Sequence, residues 1–197
     1  MLRQTLLIFM NSSYLTDTQI IEAIQNGDDH YFERLYERYK RWVGAIIVKH
    51  IPAQDVEEEG QEVFLQVYQC LKNLKNPKQL KPWLKTISVR QCYDYWRKKY
   101  KSREVHIKEI EPAVYNWLER SGKSDTNIEE LIQQKEARQA LHWALDRLGP
   151  KDRMVIQLVY FEGLNSRQAS QLLGWSTANV KIRSMRARRK LKQIIKL

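Results

Sequence analysis

The sequence predicts an all-α protein made of two small helical domains joined by a flexible linker. Three observations carry this. Apolar residues recur at helical spacing over long stretches, strand-like alternation is absent, and only seven glycines and five prolines punctuate the 197 residues. The helical pattern fails over 102–125, where charges of both signs mix with Pro112, Gly122 and serines. That segment reads as a tether between domains at 14–101 and 126–197.

The elements follow in order. Thr16 with Gln19 makes a capping box for a short helix to about Asn26. A second helix, about 28–50, places Phe32, Leu35, Tyr39, Trp42, Val43 and Ile46 on one stripe, and Pro52 breaks it. A third covers about 53–71 with Val56, Val63, Phe64, Val67 and Leu71 inward. Residues 72–81 form a loop, and Pro82 suits the first turn of a fourth helix to about Lys101. Within the tether, Val114, Trp117 and Leu118 could form one helical turn. Thr126 with Glu129 makes a second capping box, opening a helix to about Leu148. "GPKD" (Gly149 to Asp152) ends that helix and starts the next, which stops at Gly163. Two more are expected, about 166–173 and 177–195.

With 43% hydrophobic residues the chain can build real cores, and its formal charge of +11 favours an anionic partner, nucleic acid or an acidic membrane surface. Cys70 and Cys92 lack metal-ligand spacing, which suits a reduced, cytoplasmic protein. The N-terminal "LLIFM" is far too short to span a bilayer, and a start at Met10 would remove most of it. His30, His50, His106 and His142 are scattered with no paired carboxylates beside them. No catalytic site, metal or other cofactor is therefore expected.

The C-terminal stretch from Asn165 is the most informative. Ala169, Leu172 and Leu173 share one face of a short helix, and Gly174 can supply a left-handed turn. Ser176 is an N-cap for a longer helix with Val180, Ser184, Ala187 and Leu191 as its buried row. This is a helix-turn-helix pattern, whose second helix lies in the DNA major groove. Between Lys181 and Leu197 there are eight basic residues and no acid. The absence of acids for i,i+4 pairing favours phosphate contact over a helix that merely adds solubility. Ser166, Arg167, Ser176, Thr177, Ala178, Asn179, Lys181, Ile182, Arg183, Arg186 and Arg188 are the candidate contacts.

"DVEEEGQEVFLQVYQCL" (Asp55 to Leu71) reverses the sign, with five acids and no base. Two readings fit it. The acids could dock on a basic protein surface, or they could gather at a positive helix N-terminus; the latter explains Asp55 to Glu58 well and Glu62 poorly. "YDYWRKKYKSR" (Tyr93 to Arg103) interleaves aromatic rings with cations. It is either a solvated helix end or a surface on which bases stack while cations follow phosphates.

Taken in order, the acidic-aliphatic helix, the loop, "PWLKTISVRQCYDYWRKK", the tether and the helix-turn-helix resemble a bacterial sigma factor of the extracytoplasmic-function (ECF) type, in the sigma-70 superfamily. Asp55, Glu58, Gln61, Glu62, Phe64 and Leu65 match the family's region 2 motif, which docks on the β′ clamp helices of RNA polymerase. Trp83, Leu84, Ile87, Asp94 and Arg97 match the pattern that follows. Leu145 to Leu191 resembles region 4, which in the family reads the −35 promoter element and approaches the β flap. Three positions depart from the family: Gly60 and Trp175 replace aliphatic residues, and Arg90 replaces an asparagine.

The resemblance implies a promoter-specificity subunit rather than an enzyme. Its partners would be core polymerase, promoter DNA and a regulator such as an anti-sigma factor, with no membrane contact. The −10 element would meet Asn73, Lys75, Lys78, Arg90, Tyr95, Arg97, Lys98, Lys99, Tyr100 and Lys101, with a flipped base near the 73–81 loop. The alternative is a stand-alone helix-turn-helix regulator, which leaves the acidic helix without a purpose.

Overall fold

The computed structural model describes residues 15–104 and 141–196, all helix, turn or loop with no strand among them. The chain divides into two compact units that meet between Cys92 and Tyr93.

In the first unit, helix α1 (Asp17–Gln25) opens on the expected box. The Gln19 amide donates to Thr16 Oγ1 at 3.3 Å, and the Thr16 amide donates to Gln19 Oε1 at 2.9 Å. Ile20, Ile21 and Ile24 point inward. Helix α2 (Tyr31–Ile47) buries Leu35, Tyr39, Val43, Ile46 and Ile47 at steps of three and four. It is shorter than expected at both ends, because residues 28–30 and 48–50 form turns instead. Asp17 ties α1 to α2, accepting from Arg38 at 2.7 Å and from the Tyr39 hydroxyl.

After Pro52 a 3₁₀ turn (Ala53–Asp55) leads into α3 (Val56–Cys70). Two further 3₁₀ turns, Leu71–Asn73 and Pro77–Gln79, give shape to the expected loop. Helix α4 (Leu80–Glu104) then runs three residues beyond its expected end at Lys101, into the start of the tether. The core collects Ile20, Ile21, Ile24, Leu35, Val43 and Ile47 with Val63, Val67, Leu84 and Val89, all fully buried or nearly so. Burial at that level stabilises by roughly 1.5–3 kcal/mol per large side chain.

In the second unit the described part of helix α5 is 141–146. Helix α6 (Pro150–Ile156) begins with the proline at its first position, as "GPKD" predicts. The expected helix to Gly163 is not uniform. It widens into a π-helical turn, Gln157–Phe161, in which the Glu162 amide donates to Gln157 O at 3.0 Å. Leu158 stays buried there while Tyr160 and Phe161 emerge into solvent. Helices α7 (Ser166–Leu173) and α8 (Thr177–Lys196) complete the unit. Leu145, Leu148, Ile156 and Ala187 form its core, flanked by Leu141, Leu191 and Ile194. The Thr126–Glu129 box, the turn at Val114 to Leu118 and most of the tether lie outside the described residues.

Candidate nucleic-acid interface and docking face

Helix α3 separates the expected docking residues into two sets. Glu58, Gln61, Glu62 and Leu65 are exposed, and their i, i+3, i+4, i+7 spacing places them on one stripe. Leu65 is 51% exposed, an apolar side chain left open among acids. Asp55 is half-buried at the start of this helix. Phe64 belongs elsewhere: it is 5% exposed and its ring meets Tyr36 edge-on at 4.7 Å. That matches the inward position its spacing predicts and corrects the place on the docking surface that the family motif implies, since a ring so covered is held by the core. Glu59 is likewise buried, unlike its acidic neighbours. A Cβ at Gly60 would meet nothing within 4 Å, and α3 continues through it unbroken.

The loop before α4 is held rather than loose. Gln25 donates from Nε2 to the carbonyls of Leu71 at 3.2 Å and Leu74 at 3.0 Å. Asn76 caps the next turn by accepting from the Lys78 amide at 3.1 Å. Asn73, Lys75 and Lys78 all project to solvent from this loop. Along α4, Arg90, Arg97, Lys98, Tyr100 and Lys101 are exposed and Lys99 is half-buried.

Tyr95 departs from the expected stacking role. Its ring is 9% exposed, it meets Trp96 edge-on at 5.0 Å, and its hydroxyl accepts from Lys99 Nζ at 2.6 Å. A ring covered on its faces has none to offer a base, so Tyr95 is a packing residue. Tyr100, 40% exposed, keeps its ring open. Within the second unit, Trp96 packs beneath the Arg153 guanidinium at 3.4 Å, and Tyr93 meets Trp175 edge-on at 5.5 Å.

The helix-turn-helix is built as its residues dictate. Asn165 caps α7 by accepting from the amides of Arg167 at 3.0 Å and Gln168 at 2.9 Å, and the Asn165 amide donates to Gln168 Oε1 at 3.0 Å. Gly174 takes the left-handed conformation at φ 70°, where a Cβ would be strained. Ser176 Oγ then accepts from the Asn179 amide at 3.2 Å and caps α8. Val180, Ser184 and Ala187 are buried in a row, so small side chains let α8 lie close against the unit.

The opposite face of α8 presents Ala178, Asn179, Lys181, Ile182, Arg186 and Arg188 to solvent, with Arg167 exposed on α7 and Ser166 and Thr177 half-buried. Arg183 is only partly available, because its guanidinium donates to Asp152 Oδ1 at 2.7 Å. Lys190 reaches the other oxygen of the same carboxylate at 3.1 Å.

Two residues of this surface escaped the sequence reading. Met185 is 50% exposed, three residues beyond Ile182 at 47%, so the basic face carries an apolar strip. Its signal was present in that spacing. Asp152, 5% exposed, anchors two of the cations. Only its position in the "GPKD" turn hinted at it, and nothing local indicates a partner on α8.

An acid-faced helix on one unit and a basic helix-turn-helix on the other define a DNA-binding protein of the transcription apparatus. Residues 35–102 match the family model for Sigma-70 region 2, and residues 138–191 match that for Sigma-70, region 4. The chain belongs to the sigma-70 family and is a sigma factor of the ECF type, a transcription-initiation protein and not an enzyme. It is 27% identical over 179 residues to the ECF RNA polymerase sigma-E factor of Escherichia coli K12, covering 90% of this chain and 93% of the relative. With the RNA polymerase sigma-H factor of Pseudomonas aeruginosa it shares 23% identity over 173 residues, 87% of this chain and 90% of that one. A solved sigma factor RpoE of Bartonella quintana, in complex with the anti-sigma factor NepR, is 22% identical with a TM-score of 0.49, covering 84% of this chain and 97% of that one. Among the described residues, no helix is long and apolar enough to cross a membrane.

Proposed function

We propose that this sigma factor docks on core RNA polymerase through the Glu58–Gln61–Glu62–Leu65 stripe of α3 and reads promoters with its remaining cationic surfaces. The stripe carries the reading: it is acidic and solvent-facing in a chain of formal charge +11, so it repels DNA and suits a basic protein surface. The −10 strand meets Asn73, Lys75 and Lys78 in the loop and Arg90, Arg97, Lys98, Lys99, Tyr100 and Lys101 on α4, with Tyr100 the ring open to stacking. The −35 duplex meets α8 from Ser176 onward, with Arg186 and Arg188 on phosphates and Asn179, Lys181 and Ile182 toward base edges.

Each DNA contact need only be weak on its own, because polymerase holds both units on one template and supplies the effective concentration. The protein acts in the cytoplasm, where polymerase and promoters are. A regulator of the anti-sigma kind, which the family resemblance implies, is the third partner. Run-off transcription with purified core polymerase on fragments of the source genome tests the whole reading. Discrete products that require this protein are expected. Tight duplex binding alone, without initiation on any fragment, would instead identify a stand-alone regulator.

A further inference from the structure

The carboxylate of Glu59 does not join the acidic stripe on either side of it. It is 8% exposed and accepts a 2.7 Å hydrogen bond at Oε2 from Nε2 of Gln91, itself 3% exposed on α4. The side-chain Oε1 of Gln91 in turn accepts from Nε2 of Gln66 at 2.7 Å. Glu59 and Gln66 lie seven residues apart on α3, two turns along one face. One glutamine of α4 is thereby gripped at two points of α3. The same two helices are otherwise anchored by aliphatic side chains, Val63 and Val67 of α3 and Leu84 and Val89 of α4, all fully buried. Aliphatic contacts tolerate small slides between helices, whereas a hydrogen-bonded chain permits one register.

The neighbours of this chain give the register a consequence. Glu58, beside Glu59, is exposed on the proposed docking stripe, and Arg90, beside Gln91, is exposed on the helix proposed to meet the −10 strand. We infer that Glu59, Gln91 and Gln66 form a positioning clamp that fixes α4 against the docking helix, so that seating on polymerase sets where Arg90 and its helix meet the −10 strand. This rests on the proposed docking face. None of the three residues touches DNA or polymerase; they act through the helices they join.

The test uses the full chain and separates packing from positioning. Gln91→Leu strips the buried carboxylate of its partner and is expected to melt at the lowest temperature of the set. The Glu59→Leu/Gln91→Leu pair replaces the polar contact with an apolar one and is expected to melt at or above the wild type. Glu59→Gln can still accept from Gln91 and serves as the conservative rescue. With core polymerase saturating, permanganate footprinting on a run-off template follows strand opening at −10. The Leu–Leu pair is expected to open about tenfold more slowly while binding core within about twofold of wild type; Glu59→Gln is expected to open at the wild-type rate. Wild-type opening by the Leu–Leu pair would overturn the clamp. If the wild-type chain binds no core, the docking reading fails, and hydrogen exchange over 80–92 in the free protein decides the clamp alone. Faster exchange in the Leu–Leu pair supports the clamp, and unchanged exchange overturns it.

Discussion

Asp152 on α6 accepts a 2.7 Å hydrogen bond from Arg183 on α8, and the pairing joins residues 31 positions apart in the chain. Lys190, two turns further along α8, holds the second carboxylate oxygen at 3.1 Å. The carboxylate is almost entirely covered while the two cations remain partly or largely solvated. Asp152 therefore fixes the roll of the recognition helix about its own axis. Breaking the pair from the arginine side leaves a buried acid with one partner fewer.

The first prediction divides the arginines of α8 by this geometry. Arg186→Ala removes an exposed cation and should lower the salt slope of −35 duplex binding by about one, with little change in stability. Arg183→Ala should leave the slope within error and lower the unfolding free energy by about 1–2 kcal/mol, discounted for its partial exposure. Urea melts and salt titrations of duplex binding read the two effects separately. Equal slopes lost by both variants would return Arg183 to the DNA surface.

The adjacent pair Phe64 and Leu65 gives a second contrast. Phe64→Ala opens a cavity beneath Tyr36 and should cost about 3–4 kcal/mol of stability. Leu65→Ala, at a site half open to solvent, should melt within about 0.5 kcal/mol of wild type and weaken core polymerase binding severalfold. Reversing Glu58 and Glu62 to lysine should abolish co-purification with core while −35 duplex binding persists. Undiminished co-purification would remove the acidic stripe from the docking surface.

How much of this was legible in the sequence follows from the range of each signal. The helices, the Thr16 box, the Gly174 turn and the Val180–Ser184–Ala187 row are local, written in spacing and in single residues with special backbone needs. Tyr95 was misplaced because motif position and aromatic character say which helix a ring is on, not which face is covered. The inward place of Phe64 was legible in the spacing of α3, and only the family motif set it among the docking residues. Phe64 is covered by Tyr36, a residue of another helix. Asp152 and Glu59 were missed because their partners, Arg183 and Gln91, lie about thirty residues away, 31 and 32 positions respectively. The π-helical turn after Ile156 has no single-residue marker, so the run to Gly163 reads as one ordinary helix.

Ile182 and Met185 lead to a third prediction. Exposed apolar side chains on a groove-facing helix recognise the thymine methyl rather than a hydrogen-bonding edge. Replacing thymine by uracil in the −35 duplex should weaken wild-type binding by about 1 kcal/mol at the contacted position. Met185→Ala or Ile182→Ala should bind the thymine and uracil duplexes alike at that position. A methyl effect that survives both substitutions would place the apolar strip away from the bases.

The last prediction concerns the link between α1 and α2. The Tyr39 hydroxyl donates to Asp17 from a nearly buried ring. Burial, then the hydrogen bond and charge of Asp17, push its pKa well above the ordinary 10.0, while Arg38 acts weakly against them. The folded state therefore holds this proton more tightly than the unfolded chain does. Its contribution to stability is complete below pH 10 and is lost as the pH rises from there toward the folded value. Tyr39→Phe should cost about 1 kcal/mol at neutral pH through the lost hydrogen bond. It should also make the decline in unfolding free energy shallower between about pH 10 and 11.5. Denaturant melts at half-unit intervals of pH give both curves, and parallel declines in that window would show that the Tyr39 proton is not linked to folding.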